Sequence, residues 1–219
     1  MRKILITGFK HSGTTLLMQL IRAHPQVGWI EFEEGYIEFD KPKEWVLLMA
    51  TKRVDDMKKY AWGEKLPWGT REDDLKAKRA IGFTKKWLKF FGSKARVLCI
   101  LRHPLDASAS GLLGKKFAKK PLEYSTKSLP KYIDFMNDDK RCAAVVYEEL
   151  LENPKEKLKS IFEFLNLDND DKTIDKIMNT DLKFGKINSE RAYAFVKEHP
   201  EHKDKADYQS IIERVKNKL

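Results

Sequence analysis

The residues G-F-K-H-S-G-T-T at 8–15 constrain this chain more than any other stretch. They follow the apolar run 2–7, which reads as a buried strand. They precede a segment, 14–23, that puts Leu16, Leu17, Leu20 and Ile21 on one helical face before Pro25 stops it. Strand, glycine turn and helix in that order open a parallel α/β unit. Successive backbone N–H groups in such a turn, with the positive end of the helix dipole, make a nest for an anion. Gly8 and Gly13 let the backbone come close to that anion, and Ser12, Thr14 and Thr15 add hydroxyl donors. The spacing matches the first Gly, the second Gly and the final Ser/Thr of the phosphate loop G-x-x-x-x-G-K-[ST]. Thr14 stands where that pattern has lysine. No acidic residue ends an apolar strand in the manner of a Walker-B aspartate, because V-L-C-I-L-R ends in Arg102. Both departures argue against triphosphate hydrolysis and phosphoryl transfer, and leave another phosphate-rich nucleotide as the expected ligand.

The rest of the chain continues the same architecture. The pattern predicts an extended run at 27–32, a helix over 43–60, a loop at 61–70 punctuated by Gly63, Pro67 and Gly69, and a long helix over 72–91. In that helix Leu75, Ile81, Trp87, Leu88 and Phe91 are the core candidates. Buried strands follow at 95–101 and 142–147, with a helix at 104–113 that has Pro104 in its first turn. Helices are expected at 154–165, 169–179 and 206–218. No repeat, low-complexity segment or linker interrupts the chain. Its 219 residues suit a single domain spanning 1–219. Strands separated by helices predict an α/β fold of three layers, a parallel sheet flanked by helices.

A second constellation sits at the end of the strand 95–101. In V-L-C-I-L-R-H-P-L-D-A-S-A-S, Arg102 leaves the strand and Ser110 follows eight positions on, in the next helix. The carboxyl end of a strand in an open parallel sheet faces the ligand crevice. An arginine there can grip a phosphate bidentately, and Ser110, about two turns along the helix, can donate to the same group. Ser108 is a nearby alternative.

K-H-S-G-T-T-L-L resembles the 5′-phosphosulfate loop of sulfotransferases, enzymes that use 3′-phosphoadenosine 5′-phosphosulfate (PAPS). The arginine and serine at 102 and 110 match that family's second signature. V-Y-E-E-L-L-E-N-P (146–154), with I-F-E-F-L-N-L (161–167), is similar to its Y-E-D-L…P…F-L-x-L region. W-G-E-K-L-P-W (62–68) resembles the G-E-K-T-P motif of bacterial members. The motif style is closest to bacterial and tyrosylprotein-type members. These fragments occur in the family's order and span residues 5–167.

The resemblance implies a P-loop NTPase-like sulfotransferase fold and transfer of a sulfonate from PAPS to a hydroxyl or amine. It implies that Lys10, His11, Ser12, Gly13, Thr14 and Thr15 bind the 5′-phosphosulfate, that Arg102 and Ser110 hold the 3′-phosphate, that Tyr147 lies near the adenine, and that Lys65 points at the sulfonate. His11 stands where members more often have lysine or arginine; a protonated imidazole fills that electrostatic role over part of the pH range. Leu66 replaces the threonine of G-E-K-T-P. Lys183 and Lys186 are candidates for the C-terminal nucleotide lid, set against an ordinary exposed basic turn.

An acceptor needs a general base. The family glutamate aligns to Phe32, between Glu31 and Glu33, which share one face of an extended strand. Glu33 is favoured, then Glu31; a surface carboxylate is the competing reading of each. His24 reads as a helix-terminating residue. No metal is implied and no ligand cluster for one is seen.

The formal charge of +10 favours anionic partners without choosing among them. Two alternatives therefore stand beside the sulfotransferase: a small P-loop nucleotide kinase, and a non-catalytic binder of polyanions. No aromatic-basic nucleic-acid motif occurs, so nucleic acid is not an expected partner. The acceptor, whether small molecule, glycan or peptide, is expected to meet the segments 35–70 and 114–135, where Trp45, Trp62, Trp68 and Phe117 are candidate pocket residues. The oligomeric state is not encoded in any motif. Cys99 and Cys142 lie in apolar runs and read as buried free thiols. With no run of ~20 apolar residues and no signal-peptide pattern, a cytoplasmic enzyme is expected.

Overall fold

The computed structural model describes residues 2–9, 11–29, 61–68, 77–109, 128–180 and 208–219. Five strands, β1 (Arg2–Phe9), β2 (Val27–Trp29), β3 (Ala61–Trp68), β4 (Ala95–Leu101) and β5 (Cys142–Val146), form one sheet in the order β2-β3-β1-β4-β5. All four pairings are parallel. The helices are α1 (Thr14–Arg22), α2 (Ala77–Phe91), α3 (Pro104–Ala109), α4 (Leu129–Asn137), α5 (Tyr147–Glu152), α6 (Pro154–Leu165), α7 (Asp171–Met178) and α8 (Tyr208–Glu213).

Alternate residues of β1, β4 and β5 go to opposite faces, and both faces are apolar. Leu5, Val97, Cys99, Leu101, Cys142 and Ala144 pack with Trp87, Leu88 and Phe91 of α2, Tyr132, Ile133 and Met136 of α4, and Ile211 and Ile212 of α8. Ile4, Ile6, Leu98, Ile100, Ala143 and Val145 pack with Leu17, Leu20 and Ile21 of α1, Leu158, Ile161 and Phe162 of α6, and Ile174 and Ile177 of α7. Helices thus cover both faces, as the sequence predicts. Cys99 and Cys142 are buried free thiols; burial pushes the Cys142 thiol up to about 12 and the Cys99 thiol still higher.

The strand order sets the ligand crevice. From β1 the chain turns through α1 to β2 on one side; from β4 it goes to β5 on the other. The strand order therefore reverses between β1 and β4, the switch point outside whose carboxyl ends open parallel sheets bind their ligands. The glycine loop leaves β1 there, and Arg102 leaves β4 beside it.

Four expectations need correction. Residues 61–68, expected as a loop, form β3, paired from Arg2↔Ala61 to Phe9↔Trp68. Gly63 and Pro67 mask the strand in the sequence. Among the described residues, β2 pairs with Ala61–Gly63 of this strand. The helix expected over 206–218 ends at Glu213, because the following tail pairs with β5 instead. Ala144 N–H donates to Asn217 O at 2.9 Å, and Leu219 N–H donates to Ala144 O at 3.0 Å, satisfying backbone groups that the sheet edge would leave open. The strand expected to include Tyr147 stops at Val146, and Tyr147 opens α5. Residues 129–135, assigned to acceptor contact, belong to α4, whose Leu129, Tyr132 and Ile133 are core. The helix expected at 43–60 and the ends of those expected at 72–91 and 104–113 lie outside the described residues.

Candidate active site

The loop after β1 is built for close approach. Ser12 N–H donates to Phe9 O at 2.9 Å and closes the turn. His11, at φ 69°, and Gly13, at φ 100°, are left-handed, so the chain reverses tightly before α1 starts at Thr14. A Cβ at Gly13 would collide with the Tyr147 ring, which fills the space beside it. At Gly8 a Cβ would come within 2.6 Å of Ser12 Oγ and 2.8 Å of Ile100 O, so β1 and β4 meet at a distance only glycine allows. The first turn of α1 leaves N–H groups without intrahelical acceptors at the crevice. Thr14 is buried and Thr15 exposed.

Arg102 closes the crevice from β4. Its Nη1 donates to the backbone carbonyl of His11 at 3.0 Å, and its guanidinium carbon lies 4.4 Å from the centre of the Tyr147 ring. The carboxyl ends of β1, β4 and β5 therefore meet in one cluster: His11 and Gly13, Arg102, Tyr147. Tyr147 is only 3% exposed, and burial raises its phenol pKa above the ordinary value despite the nearby arginine.

Among the described residues, two buried polar atoms in this cluster have no hydrogen-bond partner: Ser12 Oγ and Arg102 Nε. An orphaned buried donor normally costs free energy of about 1–3 kcal/mol, so such atoms are usually satisfied by a ligand or by water. Here both flank the anion nest. Hydroxyl, guanidinium and backbone N–H donors fit phosphate oxygens.

The structure brings His11, Ser12, Gly13, Thr14, Thr15, Arg102 and Tyr147 together. The backbone of Lys65 lies on β3, in register with Ile6 and two positions short of Gly8, on the strand next to the loop. Lys10, Glu31, Glu33, Ser110 and Lys186 lie outside the described residues. His24 is 1% exposed and structural. Gln26 N–H donates to its Nδ1 at 3.1 Å, so Nε2 carries the proton and donates to Asp168 O at 2.8 Å. Sequence reasoning missed Glu148, whose carboxylate accepts the His103 N–H at 2.9 Å and the Tyr208 hydroxyl at 3.2 Å. The Y-E-E-L fragment contained it, but nothing in that fragment shows which backbone it meets.

A parallel sheet with a glycine loop at its switch point and an arginine just past the neighbouring strand defines an α/β fold of the P-loop type. The sulfotransferase domain family model matches residues 1–210, and the chain belongs to the sulfotransferase family, enzymes of sulfonate transfer. Solved structures agree in fold. A sulfotransferase from Alicyclobacillus acidocaldarius is 16% identical with a TM-score of 0.54, over 90% of this chain and 92% of its own. A mouse sulfotransferase solved in complex with PAP is 16% identical with a TM-score of 0.54, over 97% of this chain and 88% of its own. The sulfotransferase domain of a Synechococcus olefin synthase is 15% identical with a TM-score of 0.54, over 88% and 86%. No curated protein sequence matches the chain.

Proposed function

We propose that this sulfotransferase takes its sulfonate from PAPS and delivers it to a hydroxyl or amine of a small molecule, glycan or peptide. The observation that carries this reading is the meeting of the β1 loop and Arg102, with Nη1 3.0 Å from His11 O and with Ser12 Oγ and Arg102 Nε still unpartnered. One donor set suits a 5′-phosphosulfate and the other a second phosphate on the same nucleotide.

In-line transfer breaks the bond between sulfur and the 5′-phosphate oxygen and forms a bond from sulfur to the acceptor oxygen or nitrogen. The leaving phosphate gains negative charge. The N–H groups of 13–15, the Ser12, Thr14 and Thr15 hydroxyls, Lys10, His11 and Lys65 are the groups assigned to it. Arg102 and Ser110 are assigned to the 3′-phosphate, and Lys186 to the lid. Glu33, then Glu31, is assigned to take the acceptor proton as bond formation proceeds. The presence of PAP in the mouse structure supports the choice of nucleotide.

Thermal melting tests it. Adenosine 3′,5′-bisphosphate (PAP) should raise the melting temperature more than ADP at equal concentration. At ~100 times its Kd a ligand adds about 2.7 kcal/mol, a readily measured shift. Equal shifts from both nucleotides would remove the case for a 3′-phosphate clamp.

A further inference from the structure

The first three residues of α5 each hold a different part of the molecule. The Tyr147 ring lies beneath the Arg102 guanidinium and beside Gly13. Glu148 accepts the His103 N–H through Oε1 and the Tyr208 hydroxyl through Oε2. Glu149 takes Lys157 at 2.6 Å and Lys218 at 2.8 Å. The His103 ring also meets the Tyr208 ring edge to face, with centroids 5.0 Å apart.

Glu148 thus fixes the peptide immediately after Arg102, while its neighbour Tyr147 supports the Arg102 side chain. An arginine carries about 2 kcal/mol of rotamer entropy, so a clamp built on one depends on how its backbone and stem are held. The same carboxylate ties down α8, which is far away in sequence. A shift of α8 would reach Arg102 through Glu148 and the His103 N–H.

We propose that Glu148 is a positioning residue for the nucleotide, holding Arg102 in its phosphate-gripping orientation and coupling α8 to that grip through Tyr208. The proposal rests on the reading of Arg102 as the 3′-phosphate clamp. It makes Glu148 a determinant of the preference for a 3′,5′-bisphosphate over a 5′-monophosphate, without touching either.

Calorimetric titration of the full chain with PAP and with AMP tests it, on the wild type and on Glu148→Ala, Glu148→Gln, Tyr208→Phe and Arg102→Ala, each checked by thermal melting. Glu148→Ala should lose about tenfold or more in PAP affinity while AMP affinity stays within about twofold, the loss expected when a charge-assisted hydrogen bond that orients a clamp is removed. Glu148→Gln should retain most of the preference, because its amide oxygen accepts the His103 N–H and its amide nitrogen can donate to the Tyr208 oxygen. Tyr208→Phe, which removes one hydroxyl, should lower PAP affinity by a smaller factor and again spare AMP.

Arg102→Ala separates the two claims. If it keeps the PAP preference, the clamp reading fails and takes this proposal with it. If Arg102→Ala loses the preference while Glu148→Ala keeps it, the clamp stands and the positioning role is overturned. Equal weakening of PAP and AMP in Glu148→Ala, in step with its lowered melting temperature, would reduce Glu148 to a structural role and overturn the proposal. Should Glu148→Ala not fold, an unchanged PAP preference in Tyr208→Phe overturns the coupling of α8 to the clamp.

Discussion

Ser12 is 2% exposed, and among the described residues its hydroxyl oxygen has no hydrogen-bond partner. A residue chosen for stability alone would not be serine there, since a buried unsatisfied hydroxyl costs about 1–3 kcal/mol. Ser12→Ala should therefore leave the melting temperature of the ligand-free protein unchanged or raised, while weakening PAP binding by about tenfold. A marked loss of ligand-free stability would mean that the hydroxyl is already satisfied. Lys3, at the other end of β1, carries a different strain. It is 6% exposed, and burial, then the charge of Lys94, lowers its ammonium to about 7. The folded pKa lies below the unfolded one, so from about pH 7 to 10.5 the unfolded chain holds the extra proton and stability from this group rises with pH. Below that window the full cost of burying the charge is present. Lys3→Met should accordingly gain most over the wild type near about pH 6 in urea denaturation, with the gain shrinking by about pH 10. A gain that does not vary with pH would show that Lys3 is not charged against its surroundings.

At the scale of elements, the join between α1 and the α6–α7 connection is made by His24, Gln26 and Asp168. His24 bonds Asp168 O, and Gln26 exchanges two further bonds with Asp168, at 2.9 and 3.1 Å. The ring also packs edge-on to Phe162, with centroids 4.6 Å apart. His24→Ala should cost about 1–3 kcal/mol in denaturant unfolding yet leave PAP affinity intact where the variant is folded. Lost affinity at full stability would move His24 into the site. This histidine could be read in the sequence only as a helix stop; its partner is 144 positions away, and local pattern carries no trace of it. The elements with the strongest signals were legible: β1 with its loop, β4 with Arg102, and α6, whose residues 154–165 match the expectation. β3 was not, because glycine and proline speak for a loop locally while the neighbouring strand decides globally. The tail 217–219 was hidden for the same reason, since pairing with Ala144 outweighs the amphipathic pattern that suggested a longer helix.

For the whole molecule, the order β2-β3-β1-β4-β5 explains why residues far apart in sequence form one site. Each motif could be found separately in the sequence. Their adjacency follows from the switch point between β1 and β4, which sets the loop against Arg102, and from β5, which brings Tyr147 and Glu148 to the same end. The glycine loop was readable because it is a local backbone pattern; the support beneath Arg102 was not, because it depends on a contact between two strand ends. In the proposed function one nucleotide spans this junction. A crystal structure with PAP bound tests it most directly. The 5′-phosphate should lie in the loop of residues 8–15, with Ser12 Oγ as a donor, and the 3′-phosphate on Arg102. Phosphates placed the other way round, or a nucleotide bound away from Arg102, would contradict it.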